Sequence, residues 1–60
     1  IIELKPQCTM STIGQVKGYL HLYVRDMKPP VRPRAIVICG AAGFDVIEFA
    51  RNEGVLVIVV

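Results

Sequence analysis

Two short apolar runs constrain this chain more than any other feature. AIVICG (35–40) and GVLVIVV (54–60) are continuous and rich in β-branched residues, the pattern of strands buried on both faces in a parallel sheet. Between them, residues 41 to 53 place Phe44, Ile47 and Ala50 at helical spacing, and Gly54 stands where a left-handed helix C-cap belongs. Parallel strands need a long crossover between them, and a helix supplies it.

The first half repeats the plan. Residues 1 to 5 read as a strand, with Ile1, Ile2 and Leu4 suited to a sheet and Pro6 ending the ladder for want of an N–H. Strand alternation puts Glu3 and Lys5 on one face and Ile2 and Leu4 on the other. Thr9 or Ser11 can cap a helix over 11 to 27, in which Ile13, Val16, Leu20, Val24 and Met27 form one buried stripe. Gly14 and Gly18 each cost that helix about 1 kcal/mol relative to Ala, a cost that the close approach of another backbone would explain. KPPVRPR (28–34) is a stiff connector, because its prolines remove donors and hold their predecessors extended. The order β-α-β-α-β predicts one α/β domain over residues 1 to 60, with a small, largely parallel sheet and right-handed crossovers.

A chain of 60 residues buries about 60% of the surface exposed when unfolded, yet 53% of this one is hydrophobic. That surplus predicts self-association or a missing N-terminal half, and the opening Ile1, already inside an apolar run, reads the same way. Cys8 and Cys39 belong to no C-x-x-C motif, which excludes the common zinc and dithiol patterns and fits reduced thiols in the cytoplasm. No apolar run approaches the roughly 18 residues of a membrane span. Residues 1 to 34 carry a net charge of +4 and residues 35 to 60 one of −2, so a phosphate-bearing partner is drawn to the first half.

Ligands of α/β sheets meet the carboxyl ends of strands, where the sequence offers Glu3 and Lys5 on the first strand and GAAG (40–43) on the second. GAAG could cradle a phosphate, but the dinucleotide fingerprint needs G-x-G-x-x-G and an acid some twenty positions on. Glu3 is a hard oxygen ligand suited to Mg²⁺ or Mn²⁺, and the carbonyl of Leu4 can face the same ion. Lys5 on the same face can position an attacking water and offset charge growing on phosphorus. The alternative for this pair is a solvated edge-strand face. Lys17, His21 and Arg25 form a basic stripe on the first helix, and Arg32 and Arg34 flank Pro33; all but His21 are candidate contacts to a DNA backbone. His21 has no second imidazole or thiol at ligand spacing.

The set I-E-L-K-P, then a helix with Q-V-K-G-Y-L, then P-R-A-I-V-I-C-G resembles the PD-(D/E)xK nuclease superfamily, and within it the Shedu-type and NucS-type endonucleases. The resemblance implies the C-terminal part of a restriction-endonuclease-like core that cuts DNA with Mg²⁺ or Mn²⁺. Glu3 matches the metal-binding acid, Lys5 the catalytic lysine, and Gln15 the helix glutamine that lines the site; Tyr19 matches more weakly. The superfamily's first acid lies on an earlier strand and has no counterpart here. The alternative is a non-catalytic module binding nucleic acid or protein through a vestigial nuclease fold.

Overall fold

The computed structural model describes all residues from 1 to 60. β1 (Ile2–Cys8), α1 (Met10–Met27), β2 (Ala35–Ala42), α2 (Phe44–Asn52) and β3 (Val55–Val59) follow in that order. The three strands form one sheet in the order β1-β2-β3, and both pairings are parallel. The α/β class, the β-α-β-α-β order and the parallel sheet are therefore as the periodicity indicates.

Both crossovers step in the same direction across the sheet, and at one handedness this sets both helices on the same face. The register makes the division plain. Glu3, Val37 and Val57 are lateral neighbours, as are Leu4, Ile38 and Ile58. The first row points under the helices, where Val37 packs with Ile13, Val16, Leu20, Cys39, Ala50 and Val55 in the core. The second row points away from them. Ile2, Leu4, Leu56 and Ile58 are exposed and Ile36 and Ile38 only half-buried, so β2 and β3 are not covered on both faces as their continuous apolar runs suggest.

Local chemistry explains where the elements begin and end. Thr9, not Ser11, is the N-cap of α1: the Thr12 N–H donates to Thr9 Oγ1 at 3.3 Å and the Thr9 N–H donates to Thr12 Oγ1 at 3.1 Å, a reciprocal box that satisfies two otherwise orphaned donors. Lys28 closes the helix in the left-handed region at φ 46, its N–H donating to the Val24 carbonyl. Gly54 (φ 74) takes the same conformation after α2, as expected of a glycine in that position.

Three boundaries differ from the sequence expectation. β1 runs through Pro6 to Cys8 rather than stopping at Lys5. The Ile36 N–H donates to the Ile1 carbonyl, so odd-numbered residues of β1 turn their amides toward β2 and position 6 turns its amide to the open edge, where proline costs no ladder bond. β2 continues through Gly40, Ala41 and Ala42, and α2 starts only at Phe44, so GAAG is mostly strand rather than a phosphate-cradling turn. A Cβ at Gly40 would stand 3.0 Å from the Pro6 carbonyl oxygen, which accounts for that glycine. Gly14 and Gly18, by contrast, face open space; no backbone of this chain approaches them.

Candidate functional site

Glu3 and Lys5 lie on the helix-covered face of β1, paired in register with the buried Val37 and Cys39. Because β1 extends to Cys8, they occupy its first half and middle, not its carboxyl end. β1 is an edge strand, so the cover is partial: the side chains of Lys5 and Glu3 are 39% and 27% exposed, and Lys5 Nζ stands 3.8 Å from Glu3 Oε1. The alternation that turns odd-numbered amides toward β2 leaves the carbonyl of Leu4 on the free edge beside them.

Gln15 on α1 is not joined to this pair by any hydrogen bond. Lys17 donates from Nζ to the Glu53 carbonyl at 3.0 Å, which fixes that flank of α1 toward the end of α2. Gln15 precedes Lys17 by two positions, about 200° around the helix; it is also more than 90° from the Ile13, Val16 and Leu20 stripe that faces the sheet, so its side chain turns outward to solvent. Along the sheet the levels nonetheless agree. Gln15 is six residues beyond Thr9, about 9 Å back along the sheet at 1.5 Å per residue, while Lys5 is three residues before Cys8, about 10 Å back at 3.3 Å per residue. The same reckoning sets Tyr19, about 15 Å back, level with Glu3. Gln15 is exposed and makes no side-chain hydrogen bond, and neither it nor the Glu3–Lys5 pair lines any of the three surface depressions.

The donors at this edge suit a hard divalent cation in kind but not in number. Glu3 and the Leu4 carbonyl are two oxygens, and Mg²⁺ takes six. No three of the histidine, cysteine, aspartate and glutamate side chains come together to hold a metal ion. Further ligands have to come from water, substrate or a carboxylate beyond these residues.

The remaining cationic candidates separate. Arg25 is engaged by its neighbour, with Nε donating to Asp26 Oδ1 at 2.8 Å. Lys17, Arg32 and Arg34 gather on the far flank of α1, around a depression of about 250 Å³. Arg51 and His21 line depressions adjoining it; sequence reading did not select them as contacts because nothing in their spacing ties them to Arg32 and Arg34.

Two thiols lie beneath the site. Cys8 and Cys39 are buried and free. Burial pushes the Cys8 thiol above its ordinary pKa, and the neighbouring Cys39 adds to the rise through charge and hydrogen bonding.

The fold and site together define a small, one-sided parallel α/β unit with an acid–amine pair on its first edge strand. No protein-family model, curated protein or solved structure matches the chain. No helix is long and apolar enough to cross a membrane.

Proposed function

We propose that this chain is the C-terminal part of a PD-(D/E)xK-type DNA endonuclease core. The observation that carries this reading is the juxtaposition at the β1 edge: Glu3 and Lys5 on one half-covered face, 3.8 Å apart.

Glu3 and the Leu4 carbonyl would hold part of the coordination shell of Mg²⁺ or Mn²⁺, an ion that supplies Lewis-acid neutralisation of charge on the phosphodiester. Lys5, with three N–H donors and no acceptor, orients the attacking water and stabilises negative charge on the phosphoryl oxygens. Gln15 both donates and accepts, so its amide fixes that water or a substrate phosphate. In the reaction the water oxygen bonds to phosphorus as its proton passes to solvent, and the bond to the leaving sugar oxygen breaks as that oxygen takes up a proton from solvent to become a hydroxyl.

In the full-length protein, Lys5→Ala should lower Mg²⁺-dependent DNA cutting by roughly 10²-fold or more, as loss of one preorganised charge does, with an unchanged circular-dichroism spectrum. Undiminished cutting by the folded variant removes the mechanism. A second reading, a non-catalytic module on the same fold, is favoured by one observation, the lack of a third ligand at the β1 edge. Calorimetric titration with Mn²⁺ separates the two: tight binding lost in Glu3→Gln supports the endonuclease, and no binding supports the module.

A further inference from the structure

The flank of α1 away from the Glu3–Lys5 edge carries a second, independent feature. Three shallow depressions adjoin one another from there to α2 and β3. The first and second share Lys17, Leu20 and Arg32, and the second and third share Arg34 and Gly54. Together they make one trough along the amino ends of β2 and β3, and its charged lining is Lys17, Arg32, Arg34 and Arg51 against the single acid Glu53.

These cations are not consumed by the fold. The ion pairs of the chain are Lys5 with Glu3 and Arg25 with Asp26, so none of the trough's arginines has a carboxylate partner. Lys17 donates to the Glu53 carbonyl, which holds its exposed ammonium in the lining and leaves donors to spare. The ends of both helices lie nearby and bring some negative potential. α1 nonetheless closes on the backbone N–H of Lys28, and α2 on the N–H groups of Glu53 and Gly54, so the arginines are not needed to satisfy those carbonyls. Pro33 keeps Arg32 extended, and two extended residues set Arg32 and Arg34 about 7 Å apart, both lining the middle depression.

We infer that this trough docks the phosphodiester backbone of a nucleic acid, with Lys17, Arg32, Arg34 and Arg51 as the phosphate contacts. The cations are strung along three linked depressions rather than converging on one point, which suits a row of phosphates and not a single anion. Each depression holds only about 250 to 280 Å³, below the usual range for pockets that enclose a ligand, so contact is with the backbone and carries no sequence preference. The inference deepens the endonuclease reading by giving it a second hold on DNA, across α1 from the reacting edge, and makes Arg25 dispensable.

The test is fluorescence anisotropy of a labelled DNA duplex with the full-length protein in EDTA, titrated across KCl concentrations. Arg32→Gln, Arg34→Gln and Arg51→Gln should each weaken binding several-fold at low salt and reduce the slope of log K against log[KCl] by about 1. Lys28→Asn removes the same charge outside the trough and keeps a residue tolerant of positive φ; its slope should stay at the wild-type value. Equal losses in Lys28→Asn and the arginine variants, or no loss in any, overturn the inference. The assay uses no metal and reads no cutting, so the two proposals fail separately. Trough-dependent binding without Lys5-dependent cleavage removes the endonuclease alone, and Lys5-dependent cleavage with full-strength binding by every trough variant removes the trough alone.

Discussion

Leu4→Ala and Ile13→Ala make a matched pair of truncations on opposite faces of the sheet, and their difference measures how one-sided this fold is. Ile13 is fully buried, at 0% exposure in the core, and its truncation costs the lost transfer energy plus a cavity, about 2 to 5 kcal/mol. Leu4 is 70% exposed. With about a third of its surface covered and about 2 kcal/mol at stake for a fully buried leucine, its truncation costs roughly 0.6 kcal/mol. A domain of this length has a total stability of about 3 to 9 kcal/mol, so Ile13→Ala approaches global unfolding while Leu4→Ala shifts the midpoint slightly. Urea denaturation followed by circular dichroism at low micromolar concentration reads both. A Leu4→Ala cost of 2 kcal/mol or more would refute the reasoning, since it requires that something already covers that face; dependence of the cost on protein concentration would then identify the cover as another copy.

Two further outcomes follow from local geometry. Gly54→Ala forces a Cβ into the left-handed conformation at φ 74 and should lower stability by about 1 kcal/mol, read as a lower thermal midpoint. The raised Cys8 pKa means that the folded state holds its proton longer than the unfolded state does, so stability is full below the thiol's ordinary pKa and falls as pH rises through the alkaline range. Chemical denaturation from neutral to alkaline pH should show that decline, and Cys8→Ala should remove part of it.

Periodicity carried the order of elements through Ile13, Val16 and Leu20 in α1 and Ala50 in α2, although the ends of the expected stripes, Met27 and Phe44, are 64% and 91% exposed and Val46 packs on the core instead. It could not disclose the bare face. A continuous apolar strand such as AIVICG looks the same whether one or two layers cover it, and the answer depends on the direction in which successive crossovers step. Pro6 misled for a related reason: proline ends a ladder only where its missing N–H faces a partner, and which way position 6 faces depends on the Ile36–Ile1 bond. Gly40, Ala41 and Ala42 join β2 despite weak strand propensity because pairing with β1 continues to Cys8 and Ala42. At the candidate site, alternation placed Glu3 and Lys5 together, whereas Gln15, outside the buried stripe of α1, is exposed and touches neither through a hydrogen bond. Arg51 could not be joined to Arg32 and Arg34 from the sequence, since only the return of the chain through α2 brings it beside them.

The uncovered sheet face also sets how the protein responds to temperature. Whatever layer settles on Ile2, Leu4, Ile36, Ile38, Leu56 and Ile58 is held by the release of water from aliphatic side chains, a force that weakens on cooling. Any contact made through that surface would therefore loosen in the cold and tighten with warming toward room temperature.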